Sequence, residues 1–212
     1  MLQTIWIARH GNRLDFVAPE WFNTAKRRYD PPLSEDGIIQ AKELAKRLKS
    51  EKIAHIFTSP FLRTIQTAYE VAEILDLPIK IEAGLSEWLN PDWMSETPET
   101  HPLEELSIKY PRIDGSYTSR LIPEYPENEA TVNYRCAEIA RILVKEFKED
   151  ILLLGHGASV IGSTRGLVGG NLVINASLCC LVKVVGIENQ WQLQLNGDTS
   201  HLSQPQTKMR FN

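Results

Sequence analysis

Two short runs, Ile5–Ala8 and Ile151–Leu154, constrain this chain more than any other feature. Both are apolar at every position, and both lead within two residues to a histidine followed by glycine. A run without alternation has no face for water, so it fits a strand covered by helices on both sides of a sheet. Each is far shorter than a membrane span. Open α/β sheets bind ligands in the crevice beyond the carboxyl ends of their strands. The chemistry is therefore expected at Arg9-His10-Gly11 and Gly155-His156-Gly157, where glycine lets the backbone turn and a substrate come close.

The intervening segments complete an α/β pattern. Leu33-Ser34-Glu35-Asp36-Gly37-Ile38 reads as a helix start with Ser34 as N-cap, followed by the apolar stripe Ala41, Leu44, Ala45 and Leu48. A strand at His55–Thr58 runs into Ser59-Pro60, read as the cap and first-turn proline of a second helix that buries Phe61, Ile65, Ala68, Ala72 and Leu75. Ile79–Ile81 forms a short strand before Gly84-Leu85-Ser86-Glu87-Trp88. Helical spacing returns from Asn128 to Phe147, a helix follows Gly157 to about residue 167, and late strands are expected at Leu178–Val184 and Trp191–Leu195. The pattern predicts one domain over residues 1–212, a three-layer α/β/α fold with a central, mostly parallel sheet. A polar tail from about residue 198 is expected to be flexible.

Between residues 90 and 126 the periodicity lapses and Pro91, Pro98, Pro102, Pro111, Pro123 and Pro126 accumulate. This marks an inserted segment, about 88–127, with two readings. It is a lid or pocket wall, as long loops in compact domains often are, or a surface excursion packed on itself. Its aromatics, Trp88, Trp93, Tyr110 and Tyr117, correspondingly line a pocket or form the insertion's own small core.

A net charge of −4 argues against a general nucleic-acid or membrane-surface binder and requires any anion site to concentrate its cations locally. Cys136, Cys179 and Cys180 have no metal-ligand spacing, nor do the five histidines show HExxH or a comparable pattern. No metal or other cofactor is expected. With no secretory leader visible, the chain reads as a soluble cytoplasmic protein. Its oligomeric state stays open.

Three strand ends carry complementary side chains: Arg9 and His10 after the first, Arg63 in the helical turn after the second, and His156 after the fourth. Taken singly, each has a bland reading as a structural histidine or a solvated arginine. Together they place an imidazole, guanidiniums and a helix N-terminus at one rim, and phosphate is the natural guest.

These segments resemble the histidine phosphatase superfamily, with its phosphoglycerate mutase-like fold. The similarity rests on Arg9-His10-Gly11, on Leu33-Ser34-Glu35-Asp36-Gly37 with Gln40-Ala41, on Ser59-Pro60-Phe61-Leu62-Arg63-Thr64-Ile65-Gln66-Thr67-Ala68, and on Gly155-His156-Gly157, in the family's order. The resemblance implies a phosphoric monoester hydrolase in which His10 accepts the phosphoryl group. It further implies that Glu87 donates the proton and that Arg9, Asn12, Arg13, Arg63, His156, Gly157 and Ala158 bind phosphate. Trp88 and Trp93 would form the substrate wall. Arg13 resembles the branch acting on tyrosine-phosphorylated proteins and steroid phosphates, where mutases place a small or acidic residue; its other reading is a pair with Asp15 or Asp30. Glu87 alone reads equally as a solvated loop acid. The expected substrate is a small-molecule phosphate monoester or a phosphopeptide. The enzymatic alternative is a phosphoglycerate mutase or sugar-phosphate phosphatase, and the alternative of another class is a non-catalytic phosphate-ester or protein-binding module.

Overall fold

The computed structural model describes residues 2–187 and 190–204. Six strands form one mixed sheet: β1 (Gln3–Arg9), β2 (Ile53–Thr58), β3 (Ile79–Ile81), β4 (Asp150–Gly155), β5 (Leu181–Ile187) and β6 (Gln190–Asp198), in the order β3-β2-β4-β1-β5-β6. The pairs β2–β3, β2–β4 and β1–β4 are parallel, whereas β1–β5 and β5–β6 are antiparallel.

Helices cover both faces, as the unbroken apolar runs require. Alternate residues of each run point to opposite layers. Trp6, Ala8, Leu152 and Leu154 pack under α3 (Glu35–Leu48) and α4 (Leu62–Leu75) with Leu44, Leu48 and Ile65. Ile5, Ile7, Ile151 and Leu153 pack under α6 (Glu129–Glu146) and α7 (Gly157–Val168) with Ile139, Leu143 and Val160. Burying such aliphatic side chains contributes about 1.5 to 3 kcal/mol each before ordering costs. Two short helices, α1 (Leu14–Val17) and α2 (Trp21–Thr24), follow β1.

The segment after Trp88 divides its work. Its later part contains α5 (Leu103–Lys109), and Leu106, Tyr110 and Ile113 enter the first core. Ile113 bridges to Ile79, so this part lies along the free edge of β3, a position that shields an edge strand from further pairing. Its beginning, with Trp88, Trp93 and Met94, faces the strand-end crevice.

Three local expectations change. Ser59 is not the N-cap of α4: that position is Phe61, and the amide of Leu62 is capped from a distance by Asp30 Oδ1 at 2.7 Å. The penultimate strand starts three residues late, at Leu181, because Ser177–Cys180 closes a turn with Cys179 in the left-handed region (φ 53°). The expected flexible tail begins as structure: Asp198 ends β6 and Leu202 is buried in the first core, while residues 205–212 lie outside the described residues. No helix among the described residues is long and apolar enough to cross a membrane.

Candidate active site

Register assembles the rim. Arg9 pairs with Gly155 and Thr58 with Leu154, and the ladder continues past the strands: His10 N donates to Gly155 O and Ser59 N to Leu154 O, both at 3.0 Å. His10, His156 and Ser59 therefore emerge side by side from three adjacent strand ends. The two imidazoles meet edge to face at 5.2 Å, and the Ser59 hydroxyl lies 2.8 Å from His156 Nε2. Ser59 is thus a site residue that sequence reading took for a helix cap; its place directly after a strand was the available signal.

His10 is fully buried. Its Nδ1 lies 2.7 Å from Gly11 O, so a neutral ring donates there and leaves the Nε2 lone pair free; Nε2 has no hydrogen-bond partner among the described residues. Burial holds the proton affinity of His10 well below the ordinary histidine value, and the neighbouring Arg63, Arg9 and His156 depress it further. Burial likewise lowers His156 to about 4 despite its carboxylate neighbour.

Arg63, in the first turn of α4, is as buried as the histidines. Its Nη2 lies 3.4 Å from Glu87 Oε2, and its Nη1 lies 3.9 Å from Asp30, the same carboxylate that caps the helix. Nε and Nη1 have no hydrogen-bond partner among the described residues. Arg9 is anchored through Nη1 to Ala176 O at 2.8 Å. Burial lowers both guanidiniums to about 10, so both remain cations at neutral pH. Arg63, a buried cation whose Nε and Nη1 have no hydrogen-bond partner among the described residues, is a standing attraction for a multivalent anion.

Glu87 completes the cluster. Its Oε2 lies 3.2 Å from His156 Nδ1, and its Oε1 accepts from the amide of Trp88 at 3.0 Å. Burial alone would raise its pKa, yet His156, Arg63 and Arg9 outweigh that and hold it well below the usual carboxylate range. His10, Glu87 and His156 are also the one group of potential metal ligands found among the described residues, their ligand atoms within 4.8 Å of one another. Ligand spacing in sequence misses it because the three come from separate segments. The flanking guanidiniums oppose a cation there.

The other expected residues divide. Gly157 and Ala158 open α7 beside Glu87, with first-turn amides that have no acceptor inside the helix. Arg13 is at the crevice but is paired with Asp15, Nε to Oδ1 at 2.9 Å and Nη2 to Oδ2 at 2.5 Å, and stacks on Phe16. Asn12 is turned to α3, its amide donating to Asp36 at 2.7 Å. Gly11 is glycine for packing: a Cβ there would stand 2.5 Å from Gly37 O, where the start of α3 lies against the loop. Its φ is not positive, so the expected sharp turn is not what it supplies.

Two cavities open from this cluster. One of about 500 Å³ runs past Arg13, Asp15, Arg63 and Phe16 towards Arg28 and Tyr29. The other, about 270 Å³, includes Glu87, Gly157 and Ala158 and is walled by Trp88, Val132 and Ile161. Trp93 lines both, its ring edge to face with Trp88 at 5.0 Å.

The sequence profile of the histidine phosphatase superfamily (branch 1) matches residues 5–199. The chain is 32% identical over 181 residues to the transcription factor tau 55 kDa subunit of Saccharomyces cerevisiae, a match covering 80% of this chain and 42% of that protein. It thus spans less than half of that relative. With the probable phosphoglycerate mutase GpmB of Photorhabdus laumondii, identity is 30% over 218 residues, covering 97% of each. Among solved structures, the ecdysone phosphate phosphatase of Bombyx mori in complex with tungstate superposes with a TM-score of 0.78 at 19% identity. That superposition covers 99% of this chain and 98% of that one, a likeness of fold.

Proposed function

The chain belongs to the histidine phosphatase superfamily (branch 1), and from that premise we propose that it hydrolyses phosphate monoesters through a phosphohistidine on His10, without a metal ion. The observation that carries this reading is His10 itself: neutral, with Nδ1 turned to Gly11 O and an unpartnered Nε2 facing buried guanidiniums. A structural histidine would have both ring nitrogens satisfied.

In the first step the Nε2 lone pair forms the N–P bond while the P–O bond to the leaving group breaks and Glu87 gives its proton to the departing oxygen. In the second, water attacks phosphorus as the Glu87 carboxylate takes its proton; the P–N bond breaks and its electron pair returns to Nε2. Arg9, Arg63, His156 and the first amides of α7 hold the equatorial oxygens, where transition-state charge is spread. The neighbouring cations keep Glu87 ionised. It acquires its proton when phosphate enters, because the anion offsets the cations that held the carboxyl down.

Glu87 lines the apolar cavity, so the leaving group lies between Trp88, Trp93, Val132 and Ile161. That wall favours an aryl or otherwise apolar alcohol, on a small molecule or a phosphopeptide. The likeness to a probable phosphoglycerate mutase keeps a mutase as the second reading.

The test is phosphate release from phenyl phosphate and from 3-phosphoglycerate by purified protein, with and without chelator, combined with trapping of the phosphoenzyme. The expected result is chelator-resistant hydrolysis of the aryl ester through an acid-labile, base-stable adduct. Loss of activity with chelator and recovery with a divalent ion would overturn metal independence. Rapid isomerisation of phosphoglycerate would move the chain to the mutase reading.

A further inference from the structure

Glu87 lies on no strand or helix. It follows the 3₁₀ turn Ala83–Leu85, and residues 86–90 have no regular secondary structure. A proton donor must nevertheless be held in one geometry, since a displacement near 1 Å costs about a hundredfold in rate. Something other than a backbone ladder has to hold this stretch.

Two buried residues, Arg135 and Glu127, do so. Arg135, on α6, directs Nη1 to the carbonyls of Gly84 at 2.9 Å and Ser86 at 3.0 Å, and Nη2 to the carbonyl of Glu87 at 3.0 Å. Its Nε and Nη2 also donate to the two oxygens of Glu127, each at 2.6 Å. Every N–H of the guanidinium is thereby matched. Glu127 closes the far side. Its Oε2 accepts from Leu89 N at 3.1 Å, its backbone N donates to Leu89 O at 2.9 Å, and its carbonyl accepts from Trp88 Nε1 at 2.9 Å. The stretch is gripped at 84, 86, 87, 88 and 89 by two residues that lie 38 to 51 positions further along the chain.

A buried ion pair is weak grounds for stability, because apolar residues of similar volume often serve as well. This pair differs in where its remaining donors go: to the main chain of the loop that carries the acid. We infer that Arg135, locked by Glu127, is the positioning residue for Glu87 and sets the aim of its carboxyl. The inference rests on the reading of Glu87 as proton donor. Lysine in place of Arg135 keeps the charge but cannot offer the forked set of donors that reaches three carbonyls and a carboxylate.

The experiment is a double-mutant cycle with two substrates, an alkyl phosphate whose leaving group needs a proton and nitrophenyl phosphate, which needs it less. Arg135→Lys should lower alkyl phosphate turnover by about tenfold to a hundredfold, and formation of the phosphoenzyme from nitrophenyl phosphate by about threefold or less. In a Glu87→Gln background Arg135→Lys should add almost nothing, since the group it aims is already gone. Glu127→Gln, which frees the guanidinium while nearly preserving shape, should show the same substrate split to a smaller degree and serves should Arg135→Lys fail to fold. Equal losses on both substrates, or an undiminished loss in the Glu87→Gln background, would leave the pair a fold-holding bridge and overturn the inference. If Glu87→Gln itself shows no leaving-group dependence, the assignment of the proton donor fails instead, a separate outcome.

Discussion

His10 and Ser59 are placed by main-chain hydrogen bonds that prolong the β2-β4-β1 ladder, and His156 follows the strand between them with its amide donating to the Ser159 hydroxyl, whereas Glu87 and Trp88 are placed by the side chain of Arg135 and by Glu127. The first arrangement is largely inherited from the sheet. The second depends on one ion pair in the interior. A site divided in this way has a rigid phosphoryl-binding rim and a proton-donating arm open to disruption from a distance, so substitutions in the two regions should fail differently.

The largest expected effect is on the rim. His10→Ala should remove the trapped phosphoenzyme and reduce turnover on the order of 10⁴-fold or more, yet inorganic phosphate should still bind, because the ladder and the guanidiniums stay in place. Loss of phosphate binding in this variant would mean that the rim is not independent of its side chains. On the arm, Glu87→Gln should slow alkyl phosphates by about a hundredfold, the usual scale of general-acid assistance, and nitrophenyl phosphate much less. Single-turnover phosphoenzyme formation across a series of leaving groups measures this as a steeper dependence on leaving-group pKa, free of the hydrolysis step that all the esters share.

Smaller effects sharpen the border between the regions. Arg13→Ala should weaken binding of inorganic phosphate by about 1.5 kcal/mol, the lower range for a hydrogen bond to a charged group. Asp15→Asn should tighten it, since Asp15 competes for the same guanidinium. Calorimetric titration of both variants decides the matter by sign: a shift in the same direction for both would make the pair a structural bridge. A separate effect is on stability. The unfolded chain protonates His156 near 6.5, while the buried ring resists until about 4. The unfolded state therefore binds more protons, and stability present above 6.5 is lost as pH falls through that window. His156→Asn should flatten the slope in denaturant titrations; an unchanged slope would mean that other groups govern it.

The rim was legible because a strand's polar ending is local information. Arg9-His10 and His156 follow unbroken apolar runs, and Arg63 follows a strand and a helix start, so each could be assigned to the carboxyl edge without knowing the strand order. Ser59 stood in the same kind of place but was read as a cap, because serine before proline is a strong helix-start signal in its own right. Asp30 took the capping role instead, from thirty-two residues upstream of Leu62. Arg13 makes the expected pair with Asp15 while lining the crevice.

The class of fold, the helices on both faces and the residues at three strand ends follow from short windows of sequence, because apolar periodicity is a local property. How distant windows meet is settled by packing. Leu106, Tyr110 and Ile113 lie in a stretch without period, and their entry into the first core depends on the free edge of β3 being there to receive them. Helical spacing puts Arg135 on the apolar stripe of α6, three residues after Val132 and four before Ile139, unlike the exposed Arg141, but nothing local says what a charge on that stripe meets. Its interior place follows from α6 lying against the turn that precedes Glu87, where unpaired carbonyls needed donors and a carboxylate on the next segment could balance the charge.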